Sequence, residues 1–186
     1  MIIERIDEYL QARPRDRRAT HCFHPSTLHK PAEYLLKAYF DGDTQADYST
    51  QLSRVFDNGH SVHRRIQRYL TEMGILKKAQ FPVENAEYEI KGHADGIVEI
   101  EGKEGVLEIK SISSQGFYGL FAPFDKHVVQ INVYMFCLGI PQGVILYENK
   151  DNQDLKEFIV KQNPEVVNAV LEKIRLVQKW VSERCS

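Results

Sequence analysis

The sequence contains too few cysteines to build a disulfide framework or a metal site from cysteine alone. Its 186 residues include three cysteines, Cys22, Cys137 and Cys185, and no two of them form a CxxC pair. This number and spacing exclude four-cysteine zinc or iron–sulfur binding within one chain, and they are not typical of a disulfide-stabilised secreted domain. We therefore expect a reducing, cytoplasmic compartment.

Long apolar runs are also missing, and neither sign of charge dominates. The N-terminal segment MIIERIDEYLQ is too charged for a signal peptide, and no apolar run approaches the length of a membrane span. We therefore expect no membrane partner. The formal net charge of -2 argues against a protein that coats nucleic acid by bulk positive charge, but it leaves room for a local basic cleft.

The chain does have the composition of a globular domain, with 42% hydrophobic and 27% charged residues. Its periodicity and turn residues predict helices first, then a group of strands, a helix, two strands and a final helix. This order predicts an α/β fold in which a central mixed β-sheet is flanked by α-helices. We expect helices over the first dozen residues, 26–39, 51–73 and 125–138 and after Pro164, and strands over 79–84, 88–101, 106–110, 144–148 and 158–160.

Two of these strands form a hairpin that carries a candidate site. The hairpin runs from Gly92 to Ser111, with Asp95 on its first strand and Glu108 and Lys110 two residues apart on its second. Side chains alternate along a strand, so Glu108 and Lys110 share one face while Leu107 and Ile109 point into the core. Two carboxylates can hold a divalent cation, and a lysine beside them can orient or help deprotonate a water. The pattern suggests phosphodiester hydrolysis.

The same hairpin residues also allow simpler interpretations. Glu108 and Lys110 could belong to cross-strand salt bridges on a solvated face. Asp95, which precedes Gly96, could serve only as a turn residue. The hairpin alone does not decide between these alternatives.

Two helices add polar residues at useful spacing. Gln130 and Tyr134 are four residues apart on one helix and therefore share a face. His63 lies at the edge of an apolar stripe, where an imidazole could complete a metal site or could be an ordinary helix histidine. The stripe expected to be buried on that helix comprises Val55, Phe56, Val62, Ile66, Tyr69, Leu70 and Met73.

Four motifs occur in an order that resembles one nuclease superfamily. They are GHSVH ending at His63, GHADG around Asp95, EIK from Glu108 to Lys110, and QINVY from Gln130 to Tyr134. Together they resemble the PD-(D/E)XK superfamily, in particular its RecB-like exonuclease branch, over roughly residues 24–134. The resemblance implies a restriction-endonuclease-like core, and a single nuclease domain over residues 1–186 with N-terminal helices, about 1–73, packing on that core. Lys30, Pro31 and Ala32 lie where iron–sulfur members begin their cysteine set, so we expect no cluster.

The resemblance also implies roles for individual residues. Lys110 would position or activate the attacking water, and Gln130 and Tyr134 would contact substrate and organise the catalytic site. The cofactor would be Mg²⁺ or Mn²⁺, and a single histidine among oxygen ligands tilts the preference mildly toward Mn²⁺ in vitro. The implied metal ligands are the side chains of His63, Asp95 and Glu108 and the backbone carbonyl of Ile109.

Arginines and aromatic residues outside these motifs are candidates for contacts with DNA. A loop and the long helix carry the arginines, which could bind phosphates or could form a solvated face. Aromatic residues after the hairpin could stack on bases or pack in the core. The arginines are Arg13, Arg15, Arg17, Arg18, Arg64, Arg65 and Arg68, and the aromatic residues are Phe117, Tyr118 and Phe121.

These observations favour a metal-dependent DNA exonuclease acting on single strands or duplex ends. A structure-selective endonuclease of the junction-resolvase type is an alternative, but such enzymes generally act as dimers, and we expect no exposed apolar helix to join two copies. A catalytically silent DNA-binding module that assists recombination is a third, and the intact set Asp95, Glu108 and Lys110 argues against it. DNA repair, recombination or phage replication in a bacterial or phage-infected cytosol would suit a small stand-alone nuclease. The oligomeric state stays open.

Overall fold

The structure is a computed structural model that describes residues 1–13, 20–42 and 49–185. Its strands are β1 (Leu76–Asn85), β2 (Ile90–Ile100), β3 (Lys103–Ile112), β4 (Gln142–Asn149) and β5 (Leu155–Lys161). Its α-helices are α1 (Ile2–Ala12), α2 (Ala32–Asp41), α3 (Thr50–Glu72), α4 (Ser114–Tyr118), α5 (Asp125–Leu138) and α6 (Pro164–Cys185), and a 3-10 turn spans Pro25–Thr27.

The five strands form one mixed sheet in the order β1-β2-β3-β4-β5. Neighbouring strands are antiparallel except β3 and β4, which are parallel and pair Lys110 with Tyr147. The parallel pair requires a crossover, and α4 and α5 supply it. The sheet and its flanking helices confirm the expected α/β architecture.

Helices cover both faces of the sheet at β3. Leu107 and Ile109 pack with Val62 and Ile66 of α3 on one face. Side chains of the opposite parity, such as Val106, pack against α5 on the other face. The expectation that Leu107 and Ile109 point into the core is confirmed, but Glu108 on the opposite face is also buried, with 2% of its surface exposed.

The helix expected to begin near Ser26 begins six residues later, at Ala32. Pro25–Thr27 form a 3-10 turn, and Pro31 with its extended ψ of 157° precedes the helix. A proline disfavours helical backbone at the residue before it, which here is Lys30. The proline therefore separates the turn from α2, which packs against α6 through a cluster that includes Leu35, Tyr39, Val170 and Ile174.

The expected apolar stripe on α3 is buried only where the helix crosses the sheet. Val62 and Ile66 are buried, whereas Val55, Phe56, Tyr69 and Met73 are exposed. A helix of 23 residues is about 34 Å long, whereas five strands spaced about 4.8 Å apart span only about 19 Å. The sheet therefore leaves the N-terminal turns of α3 uncovered.

The amphipathic helix α1 packs beside those N-terminal turns rather than on the sheet. Two ion pairs join α1 and the following residue to α3, one between Arg54 and Asp7 and one between Arg13 and Asp57. The apolar side chains of α1, among them Ile2 and Ile3, are largely exposed. The expectation that no apolar helix face is exposed is therefore wrong. Within the ranges that the structure describes, no helix has the length and apolar character needed to cross a bilayer.

Gly143 allows a close approach of α5 to the sheet, which leads to a stability prediction. A Cβ at Gly143 would lie 2.7 Å from Ile131 Cδ1 and 2.8 Å from the carbonyl oxygen of Val106. Because that oxygen belongs to a buried strand, we expect Gly143→Ala to lower the free energy of unfolding by about 1–3 kcal/mol. Urea titration followed by circular dichroism measures the change.

Gly59→Ala is the matched control for this measurement. A Cβ at Gly59 meets no atom within 4 Å, and the residue lies inside α3. We expect that substitution to be neutral or to stabilise by up to about 1 kcal/mol, because alanine favours helix more than glycine does. Equal stability of the two variants would contradict the proposed close approach.

Candidate active site

The candidate site lies where β2 and β3 separate. Their backbone pairing runs from Ile100 and Lys103 to Gly96 and Leu107 and stops there. One residue further along β2, the Asp95 carboxylate accepts a hydrogen bond from the backbone N–H of Ile109, with 2.7 Å between Oδ2 and N. The Asp95 side chain therefore pairs the buried N–H of Ile109, which would otherwise need a backbone carbonyl of β2 as its acceptor.

Two side chains from one face of α3 hold Asp95 on its other side. His63 Nδ1 lies 2.8 Å from Asp95 Oδ1. Gln67, four residues later on the helix, donates from Nε2 to the backbone oxygen of Asp95 at 2.7 Å. Sequence reasoning missed Gln67 as a site residue, although its spacing from His63 was the available signal. Asp95 is thereby fixed from both the helix and the neighbouring strand, and 8% of its surface is exposed.

A second polar row lies on the α5 face of β3. Lys110 Nζ lies 2.6 Å from Glu108 Oε1 and donates to Gln130 Oε1 at 3.1 Å. Gln130 Nε2 in turn donates to the hydroxyl oxygen of Tyr134 at 3.1 Å. The structure therefore brings the four residues of the two sequence motifs into one connected row. Their catalytic roles stay predictions.

The environment of Glu108 perturbs its protonation. The pKa of Glu108 is raised to about 7: burial is the main cause, the Lys110 ammonium opposes the rise, and the negative charge of Asp95 adds to it. Since His63 also acts on Glu108, the two carboxyl groups, the lysine and the histidine belong to one electrostatic cluster. Glu108 thus exchanges its proton near neutral pH instead of staying ionised as an exposed glutamate does.

The donor set suits a hard divalent cation by its chemistry. Asp95 and Glu108 offer carboxylate oxygens and His63 offers one ring nitrogen, which is compatible with Mg²⁺ or Mn²⁺. In this structure His63 and the N–H of Ile109 engage the two Asp95 oxygens, and Lys110 engages Oε1 of Glu108. Across residues 1–13, 20–42 and 49–185, no three His, Cys, Asp or Glu side chains are already grouped for a metal. The predicted ligand set stays a prediction.

The candidate phosphate-binding arginines have varied surroundings. Arg65 donates to both carboxylate oxygens of Glu148, which is buried at the end of β4. Glu148 was not identified from the sequence as a partner of this arginine. Arg13 pairs with Asp57, as described for the α1–α3 contact. Arg64 contacts Ser61 and Arg68 lies 3.8 Å from Glu72, whereas Arg15, Arg17 and Arg18 lie outside the described residues.

Exonucleases of low sequence identity are among the solved structures that share this fold. An alkaline exonuclease from Laribacter hongkongensis, LHK-Exo, superposes with a TM-score of 0.68 at 13% identity, over 95% of this chain and 93% of that one. A structure of LHK-Exo in complex with dAMP also has a TM-score of 0.68, at 12% identity over 88% and 89% of the two chains. A phage-related exonuclease from Haemophilus somnus 129PT gives 0.63 at 15% identity, over 90% and 98%.

These likenesses concern the fold. The five-stranded mixed sheet with its flanking helices is shared with the two exonucleases, which agrees with the restriction-endonuclease-like core that the motifs imply. No family model matches the chain, and no curated protein matches it.

The raised pKa of Glu108 predicts a pH dependence of stability. The folded protein retains the Glu108 proton at pH values where the unfolded chain, with its ordinary glutamate pKa of 4.5, has lost it. This group therefore stabilises the fold fully below about pH 4.5, and the contribution is lost as the pH rises through about 7. From pH 5 to pH 7 we expect a loss on the order of 2 kcal/mol from Glu108 alone.

Urea titrations of the wild type and Glu108→Gln, both in EDTA, measure this loss. Glutamine has a similar shape and does not titrate, so the difference in unfolding free energy between the two proteins isolates Glu108. We expect the wild type to lose stability relative to Glu108→Gln between pH 5 and pH 7. A difference that stays constant across this range would contradict the raised pKa.

Proposed function

We propose that the protein is a metal-dependent deoxyribonuclease of the RecB-like branch of the PD-(D/E)XK superfamily, acting as an exonuclease on single-stranded DNA or duplex ends. The observation that carries the proposal is the meeting of Asp95, Glu108 and Lys110 at the point where β2 and β3 separate. The shared fold with two exonucleases supports it.

Four groups would hold the cation. They are the Asp95 and Glu108 carboxylates, the His63 ring nitrogen and the backbone carbonyl of Ile109. A bound Mg²⁺ or Mn²⁺ supplies a polarised phosphate, a more acidic water and a stabilised leaving oxygen. Glu108 would serve as a ligand in its ionised form, which its pKa of about 7 makes available at neutral to alkaline pH.

Lys110 is the candidate for orienting the attacking water. An ammonium has three N–H donors. Glu108 and Gln130 accept two of them at 2.6 and 3.1 Å. The third can donate to a water or to a phosphate oxygen while the other two keep the group in place. Tyr134 fixes Gln130 in turn, because its hydroxyl oxygen accepts from the Gln130 amide.

DNA is the proposed partner, and the crystal complex of LHK-Exo with dAMP supports a nucleotide substrate for this fold. Arg64, Arg65 and the loop arginines are proposed to contact phosphates beyond the site. For Arg65 this requires sharing its guanidinium with Glu148, whose two oxygens it now binds. A cytosolic role in DNA repair, recombination or phage replication and the one-domain organisation are parts of the same proposal.

A structure-selective endonuclease of the junction-resolvase type is the second candidate. It is favoured by the exposed apolar side chains of α1, Ile2, Ile3 and Ile6, which could join two copies of the chain. Cleavage of a four-way junction at internal positions, rather than digestion from an end, would identify this activity.

Lys110→Ala tests the proposed chemistry. Loss of the ammonium removes the group that orients the water, and we expect cleavage to fall by about 10²–10⁴-fold. The assay uses end-labelled single- and double-stranded oligonucleotides, free or blocked at either terminus, with Mn²⁺ or Mg²⁺ and sampling over time.

Lys161→Ala is the matched control, because it removes an exposed lysine from β5 at the far edge of the sheet. It should leave cleavage unchanged. Full activity of folded Lys110→Ala would refute the role of this lysine. If the wild type binds DNA but cleaves no substrate, the protein is a silent DNA-binding module.

Asp95→Asn tests the proposed metal site separately from catalysis. Asparagine retains an oxygen that can accept from the Ile109 N–H, but it lacks the negative charge. We expect Mn²⁺ affinity, measured by calorimetry, to fall by more than about tenfold. Unchanged Mn²⁺ binding would remove Asp95 from the ligand set, and circular dichroism of the variant checks that the fold is retained.

A further inference from the structure

The segment that links the two halves of the candidate site presents aromatic side chains to solvent. It follows β3, which carries Glu108 and Lys110, and precedes α5, which carries Gln130. Phe121 is 91% exposed, Tyr118 58% and Phe124 38%. Phe117, in contrast, is 3% exposed and belongs to the core under α5, so it is an anchor and not part of the presented surface.

The exposed aromatics sit on a segment that is held by specific contacts. Lys156 of β5 donates from Nζ to the carbonyl oxygens of Phe117 at 2.7 Å and Leu120 at 3.2 Å. The Tyr118 hydroxyl accepts from Asn152 Nδ2 at 3.0 Å, in the turn before β5. Lys156 therefore fixes the backbone on both sides of Gly119, and Phe121 projects from a defined position.

This segment also lies against β4, the parallel neighbour of the strand β3 that carries the candidate catalytic lysine. Phe124 has its ring centroid 6.1 Å from that of Tyr147, and its backbone N–H donates to the Tyr147 hydroxyl at 3.1 Å. Tyr147 pairs with Lys110 across the parallel ladder, and neighbouring strands are about 4.8 Å apart. One residue thus separates Phe124 from the candidate catalytic lysine. A further cation, Lys126 Nζ, lies 5.8 Å from the Phe124 ring centroid.

We propose that Tyr118, Phe121 and Phe124 form a stacking surface for the bases of a single strand that enters the site, with Lys126 beside it for the phosphates. This rests on the proposed nuclease function. Aromatic rings together with cations are the combination that binds single strands without reading sequence, because every base has a π face. Inside a duplex those faces are covered by neighbouring base pairs. The surface therefore selects unpaired nucleotides next to the scissile bond.

Phe121→Ala tests the proposal through binding, independently of cleavage. Fluorescence anisotropy in EDTA compares a labelled (dT)₁₂ with an abasic 12-mer that has the same phosphates and no bases. We expect Phe121→Ala to weaken (dT)₁₂ binding by at least about fivefold and to leave abasic binding unchanged. Because Phe121 is 91% exposed, the substitution removes no core contact.

Three further variants separate stacking from general hydrophobic contact. Phe121→Trp should retain or strengthen (dT)₁₂ binding, whereas Phe121→Leu should weaken it as alanine does. Tyr9→Ala removes another exposed aromatic residue, from α1, and should change nothing. If leucine restores the affinity, the surface recognises apolar groups and the stacking proposal is wrong.

The outcomes distinguish this proposal from the proposed function. Equal binding of (dT)₁₂ by the wild type and Phe121→Ala overturns the stacking surface, even if the enzyme degrades DNA. Equal affinity of the wild type for (dT)₁₂ and the abasic strand overturns it as well. A base-dependent affinity that requires Phe121, found in a protein that cleaves nothing, supports the surface and refutes the nuclease.

Discussion

The site depends on one hydrogen bond, from the backbone N–H of Ile109 to the carboxylate of Asp95. Two antiparallel strands that separate inside a protein leave backbone groups that need partners, and an unpaired buried N–H costs about 1–3 kcal/mol. Asp95 meets this need with one oxygen and leaves the other for His63. The strands can therefore open at β3 without exposing backbone donors, and the opening is where the polar side chains gather. Asp95 therefore pairs the backbone N–H left open by the separating strands and also supplies a negative charge at the site.

Burial on both faces of β3 determines the protonation of Glu108 and the position of Lys110. A strand at the surface would place Glu108 and Lys110 in water, where such a pair stabilises little and titrates normally. Here α5 covers that face, so the carboxyl group loses its hydration and its pKa rises to about 7. The lysine remains close at 2.6 Å and is held by Gln130. The salt-bridge interpretation of the pair and the catalytic one are thus compatible, because the contact that stabilises the carboxylate also positions the ammonium.

The sequence predicts best those features that arise from neighbouring residues. The alternation of side chains between the two faces of β3 and the four-residue spacing of Gln130 and Tyr134 are local patterns, and the structure retains both. Arg65 and Glu148 are 83 residues apart in the sequence, so no local pattern predicts their contact. Exposure of the apolar residues on α1 was missed for a related reason. Periodicity identifies the apolar face of a helix, but only the tertiary arrangement decides whether anything covers that face.

The parallel pairing of β3 and β4 relates the exposed aromatics to the buried polar row. A parallel pair needs a crossover, and this crossover must leave β3 just after Lys110 and return through α5, which carries Gln130. Within this crossover, Phe124 contacts Tyr147, which pairs with Lys110 across the parallel ladder. The exposed residues of the crossover, such as Phe121, can therefore take up the proposed role in binding substrate without disturbing the core. Phe117 keeps the crossover anchored, which leaves Phe121 free of any packing role. The topology thus places the proposed stacking surface next to the proposed catalytic lysine.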